Sequence, residues 1–201
     1  MSTDTMVNAD ALREDVKQKY RDVALDPNGD YHFHTGRPLA KRLGYDDAVV
    51  SALPDSAVES FAGVGNPFFF RSLEAGEKIV DIGSGSGFDC FVAASSVGPT
   101  GRVVGVDMTD EMLEKSRATG RSMRQDNTEF RKGLIEDMPV EDGWADVVMS
   151  NGVINLCPDK AAVFAEINRV LRPGGHLQFA DIANGKTVPE AAVQNIDLWT
   201  A

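Results

Sequence analysis

Apolar residues recur along this chain with two alternating periods. Between Asp10 and Ala24, Leu12, Val16, Tyr20 and Val23 fall roughly on one face, which predicts a helix. The stretch Asp26-Pro27-Asn28-Gly29-Asp30 is turn chemistry. Short helices are expected at 46–53 and 55–61, the second opened by Pro54-Asp55. From there, strand-like runs at 77–83, 102–107, 127–132, 144–150 and 175–182 alternate with helical stretches at 86–97, 110–124 and 159–172. In the last of these, Val163, Phe164, Ile167, Val170 and Leu171 make a buried face, and Arg172-Pro173-Gly174-Gly175 supplies a stop and a turn. One more helix is predicted from Val188 to Thr200. Alternation of this kind implies right-handed crossovers, so the expected class is α/β with a mostly parallel, doubly wound sheet. Ligands bind such sheets at the carboxyl ends of the strands.

Composition narrows the function classes. A chain of 201 residues is long enough for one domain with a sizeable core. A formal charge of −11 argues against a nucleic-acid partner, because phosphates need a basic face, and favours a small-molecule substrate. No apolar run approaches the roughly 18 residues of a membrane span. Met1-Ser2-Thr3-Asp4 does not open a signal peptide, so a cytoplasmic location is the default expectation. Cys90 and Cys157 are too few for a disulfide framework or a four-thiolate zinc site. Cys90 reads as a small core residue on a helix. Cys157 falls in the loop before a helix, close to the expected rim of a site. His32 and His34, flanked by Tyr31 and Phe33, read as aromatic-rich packing rather than as a metal pair.

The chemistry concentrates in Ile79-Val80-Asp81-Ile82-Gly83-Ser84-Gly85-Ser86-Gly87-Phe88-Asp89, where an apolar strand enters a glycine-rich turn. Such a turn lets backbone N–H groups approach a ligand without Cβ interference. A dinucleotide fingerprint would place its third glycine at 88, which is Phe88 here. Asp81 would repel a pyrophosphate and attract a ligand carrying an ammonium and a sulfonium, so a nicotinamide-dependent reductase is disfavoured. The second strand, Val103-Val104-Gly105-Val106-Asp107, ends in an acid twenty residues after Gly87. A carboxylate there accepts from both hydroxyls of a ribose, and Met108 is placed to lie against an adenine face.

The glycine turn resembles the first motif of class I S-adenosylmethionine-dependent methyltransferases, and residues 79–182 resemble the core of that superfamily. The resemblance implies a Rossmann-like methyltransferase fold and S-adenosylmethionine as cofactor. Asp81, Gly83, Ser84 and Gly85 would hold the donor. In Gly133-Leu134-Ile135-Glu136-Asp137-Met138-Pro139, Ile135 would offer its N–H to adenine and Glu136 would accept from the exocyclic amine. Asn151, at the end of the fourth strand, would bond the methionine portion or orient substrate. Residues 1–72 would form an N-terminal helical cap on the substrate side, and 73–201 the cofactor-binding core. This fold normally adds two further strands, which are missing from the pattern. Either the chain is a piece of a longer one, or a partner such as a second copy covers the exposed sheet edge.

A narrower resemblance, to the arsenite methyltransferase family, lies in Val106-Asp107-Met108-Thr109, Asn151-Gly152-Val153-Ile154-Asn155-Leu156, Pro158-Asp159-Lys160 and Arg169 to Gly175. Val16-Lys17-Gln18-Lys19-Tyr20 resembles that family's opening helix, whose tyrosine contacts the donor, which gives Tyr20 a cofactor role. The family grips trivalent arsenic with cysteine thiolates, as a soft ion requires. One of those cysteines belongs where this chain has Gly152, and the loop from Asp26 to Gly36 holds none. The resemblance thus carries over fold and cofactor but not the metalloid grip, and arsenite methylation is expected to be weak or absent. The acceptor remains open between arsenic and a carbon, nitrogen or oxygen of a metabolite. A catalytically silent donor-binding protein is the reading from outside enzymology. No side chain presents itself as a general base, so no catalytic residue is assigned.

Overall fold

The structure, a computed structural model, describes residues 8–186, 188 and 199. The helix expected from Val188 to Thr200 therefore falls outside the described residues apart from its first position and Trp199. Helix α1 spans Ala9–Leu25 and is capped by Asn8, whose side-chain oxygen accepts from the N–H groups of Asp10 and Ala11. Short helices α2 (Gly36–Arg42), α3 (Asp47–Ala52) and α4 (Asp55–Val58) follow. Helix α2 has no counterpart in the sequence pattern. Pro38 sits in its first turn, where a missing N–H costs nothing.

The core then alternates: β1 Lys78–Ile82, α5 Phe88–Val97, β2 Arg102–Asp107, α6 Asp110–Met123, β3 Thr128–Lys132, β4 Ala145–Asn151, α7 Lys160–Val170 and β5 Leu171–Ala180. The strands form one five-stranded sheet in the order β3-β2-β1-β4-β5, with every neighbouring pair parallel. This is the Rossmann-like arrangement, and its topological switch lies between β1 and β4. Strand β5 begins earlier than the pattern indicates. Leu171 is already extended, at φ −71° and ψ 132°, and Pro173 disfavours helical backbone at Arg172 next to it. Pairing with β4 then slips between Ala145 and Val147, and the predicted turn becomes an irregular strand entry.

One apolar cluster joins Leu39, Tyr45, Val50 and Phe61 of the N-terminal segment to Ile79, Phe88, Phe91, Val147 and Met149 of the sheet and α5. The other face buries Val80, Ile82, Val104, Val148, Val163 and Ile167. A smaller cluster seats α1 through Leu12 and Val16 against Leu156. No helix among the described residues is long and apolar enough to cross a membrane.

Candidate functional site

At the carboxyl ends of β1, β2 and β4 a single cavity encloses about 1020 Å³, its open mouth included. Its floor is the turn after β1. Gly83 (φ +67°) and Gly85 (φ +52°) adopt left-handed backbone that side-chain-bearing residues rarely take. The N–H groups of Gly83 and Ser84 both donate to the carbonyl of Val106, at 2.8 and 3.1 Å, which folds the turn back over β2. A Cβ on Gly83 would lie 2.5 Å from Val153 Cγ1, whereas one on Gly85 would meet only Met112 Sδ at 3.8 Å. The first glycine is needed for packing and the second keeps the cavity wall flat. Ser84 lines the cavity, and its buried hydroxyl has no hydrogen-bond partner.

Asp107 ends β2 at the cavity wall. Its carboxylate accepts from the N–H groups of Gly85 (2.9 Å) and Thr109 (2.8 Å), which leaves further lone pairs for a ligand. Burial pushes its pKa above the usual carboxylate range, opposed by these N–H donors. Met108, Ile135 and Glu136 line the same wall. Tyr20 reaches it from α1, with its ring stacked on Phe33 at 6.4 Å between centroids. Burial, then the charges of Asp107 and Asp181, push the Tyr20 hydroxyl up to about 12, so at neutral pH it is a donor and not an anion.

Asp81 also lines the cavity and accepts from the Cys90 thiol at 3.2 Å. Burial, and then the neighbouring Asp89, push its pKa well up. Cys90 is fully buried in the core, and burial holds it as a thiol. Asn151 lines the cavity, and its amide is largely occupied within the protein. Its Oδ1 accepts from the N–H groups of Val64 (2.8 Å) and Gly65 (3.1 Å). Its Nδ2 faces the Gly65 carbonyl, the Tyr45 hydroxyl and Asp89 at 2.9 to 3.0 Å. Asn151 thus ties the 61–65 segment down over the end of β4.

Two lining residues were not singled out by the sequence pattern. Asp89 accepts from the Tyr45 hydroxyl at 2.7 Å and from Asn151, and burial raises its pKa to about 6 against the pull of both bonds. The signal for it lies in α5, which is apolar all round, so an acid there is forced inward. Arg13 of α1 pairs with Glu136 at 3.0 Å, with the two side chains 28% and 12% exposed, and its Nε–H is buried without a partner. Arg13, Val16 and Tyr20 share one helix face, a spacing that would have placed the arginine beside the tyrosine.

At the rim, Asp181 accepts from the N–H groups of Ile154 (2.8 Å) and Asn155 (3.2 Å), and so holds the short helical turn that presents Leu156 and Cys157 to the cavity. The Cys157 thiol is held up to about 12, chiefly by burial and then by Glu136, so it is no thiolate at neutral pH. It is the one thiol among the described lining residues. Gly152 stands at φ +72°, and a Cβ there would press Val64 Cγ1 at 3.0 Å. His32 lies 2.6 Å from Lys19 Nζ and packs edge-on to Phe33, and it does not line the cavity.

The wall is strongly acidic. Asp81, Asp89, Asp107 and Glu136 line it, and Arg13, its one basic side chain among the described residues, is paired. Such a wall repels phosphates and draws in a cationic ligand.

Residues 73–200 match the family model of a methyltransferase domain. The arsenite methyltransferase of Halobacterium salinarum is 40% identical over 219 residues, a match that takes in 100% of this chain and 56% of that protein. The mouse arsenite methyltransferase is 32% identical over 206 residues, covering 96% of this chain and 53% of its own length. Among solved structures, the crystal structure of CrArsM, an arsenic (III) S-adenosylmethionine methyltransferase from Chlamydomonas reinhardtii, is similar with a TM-score of 0.67 and 37% identity, covering 77% of this chain and 56% of that one. This chain spans about half the length of the curated relatives it matches.

Proposed function

Because the chain belongs to the methyltransferase domain family, we propose that it transfers a methyl group from S-adenosylmethionine to a small-molecule acceptor, in the manner of arsenite methyltransferases. The observation that carries this reading is one acidic cavity uniting the Gly83-Ser84-Gly85 turn, Asp107 at the β2 terminus and the Ile135-Glu136 loop. The donor set fits the cofactor. Asp107 has lone pairs to spare for a ribose diol, and the unpartnered Ser84 hydroxyl is a ready bond for a polar ligand atom. Asp81, placed where the turn leaves β1, suits an ammonium group.

When bound, S-adenosylmethionine supplies an electrophilic methyl group on a positively charged sulfur. This chain's residues bind, orient and exclude water. Asp107 and the glycine turn would fix the nucleoside, Asp81 and Asp89 would pair in their charged form with the cationic end, and Tyr20 covers the cavity from α1. The roof residues Phe61, Ala62 and Gly63, with Gly152 and Cys157, form the side on which an acceptor would be held. Alignment of a nucleophile about 3–3.5 Å from the methyl carbon is the main contribution such a site makes.

Trivalent arsenic is ordinarily held by several thiolates, and one protonated thiol in the cavity is a poor grip. The residues described thus carry no multi-thiolate grip of their own, and a carbon, nitrogen or oxygen acceptor is the second reading. The test is calorimetry of S-adenosylmethionine with wild type and Asp107→Ala, followed by turnover of labelled donor with arsenite and glutathione. Loss of the Asp107 acceptors should weaken donor binding at least tenfold, about 1.4 kcal/mol or more. Equal affinity of the two proteins would remove Asp107 from the site. Robust arsenite turnover unaffected by Cys157→Ser would overturn the thiol argument.

A further inference from the structure

We propose that Arg13 is a further donor-binding residue, which closes the adenine end of the cavity from α1 and offers its buried Nε–H to the nucleoside. The inference rests on the cofactor reading above. Three observations carry it. Arg13 lines the cavity on the same helix face as Val16 and Tyr20, so α1 presents it inward. Its Nη2 donates to Glu136 Oε1 at 3.0 Å, which places the guanidinium beside the Ile135-Glu136 loop. Its Nε is buried and has no partner, although Nη1 and Nη2 both do.

An arginine has five N–H donors in a rigid fork, and burial of one without an acceptor is unfavourable. A purine nucleoside brings acceptors in its ring nitrogens and ribose oxygens. Glu136 uses one oxygen for Arg13 in the described contacts, so it keeps capacity to accept from an exocyclic amine. Arg13 also neutralises the carboxylate that faces the base, and its planar group can lie against an aromatic ring. The pair thus makes the adenine end near-neutral, while Asp81 and Asp89 line the rest of the cavity as acids whose charged form a cationic ligand would favour. A ligand with a neutral base at one end and a cationic sulfonium and ammonium at the other matches that gradient.

The test is calorimetric titration with S-adenosylhomocysteine, a stable probe, against wild type, Arg13→Ala, Arg13→Lys and Arg21→Ala. Arg13→Lys keeps a positive charge beside Glu136 and removes the Nε–H, and its affinity should fall at least fivefold. Arg13→Ala should fall at least tenfold. Arg21→Ala is the control for helix docking: Arg21 pairs with Glu111 at 2.9 Å and does not line the cavity, so its affinity should match wild type. Wild-type affinity in Arg13→Lys would overturn the proposal, as would an Arg21→Ala loss as large as that of Arg13→Ala. Absence of binding by the wild type would instead overturn the cofactor reading.

Discussion

The floor of the cavity and its roof are built by different means. The floor comes from consecutive residues at strand ends: Gly83 to Gly85 after β1, Asp107 and Met108 after β2. Backbone geometry does most of the positioning there, and the side chains lie next to the turns that aim them. The roof is assembled from residues far apart in the chain. Asn151 gathers Tyr45, Val64, Gly65 and Asp89 into one hydrogen-bond network, and Gly63 lies so close that any Cβ would strike the Asn151 amide. A floor of this kind tolerates little change of shape. A roof of this kind is sensitive to which of its members carries a proton.

The largest effect should separate two glycines of the floor. Gly83→Val meets Val153 and a positive φ together, so it should lose roughly 3 kcal/mol or more in a urea unfolding curve. Gly85→Val meets only the positive φ, about 1–2 kcal/mol, and should stay folded by circular dichroism while losing donor binding. Equal destabilisation of the two would erase the distinction between a packing glycine and a ligand-facing one.

The roof should answer to pH. Asp89 has a folded-state pKa raised to about 6, above its ordinary value, so the folded protein holds this proton more tightly than the unfolded chain does. The instability it contributes is therefore present above about pH 6 and is relieved as pH falls toward 4. Denaturation midpoints of wild type and Asp89→Asn should accordingly draw apart in favour of the wild type between pH 7 and 4.5. A difference that does not change with pH would place the network's control elsewhere.

The smallest effect concerns the rim. With its thiol held up to about 12, Cys157 should react with iodoacetamide far more slowly at pH 8 than an unfolded cysteine, and Cys90 should stay unmodified until unfolding. Mass spectrometry of a time course checks both. Rapid labelling of Cys157 in the native protein would mark it as an activated nucleophile.

The floor was legible in the sequence because each of its signals is local. Glycines after an apolar strand and an acid at the end of the next are read within a few residues of each other, and the strand expected at 102–107 is β2 to the residue. Strand β5 was misplaced at its start because Pro173-Gly174-Gly175 signals a turn equally well when the strand has already begun. The roof was not legible. Asn151 bonds residues 86 and 106 positions away, and nothing in a local pattern announces such partners. Helix α2 was hidden because Gly36 and Pro38 suppress the periodicity that marks longer helices.

The unequal seating of the N-terminal segment bears on how fast a ligand comes and goes. Leu39, Tyr45, Val50 and Phe61 share the main core with the sheet, so that part of the segment cannot swing away without breaching it. Helix α1 lies outside that core: Leu12 and Val16 pack with Leu156 in a smaller cluster beside the cavity, while Val23 and the Arg21–Glu111 pair hold its far end. Local opening costs least where the buried contact is smallest. If a nucleoside enters by local opening of the cavity end of α1, a substitution that tightens Leu12 or Val16 should slow arrival and departure alike while leaving the equilibrium affinity nearly where it was.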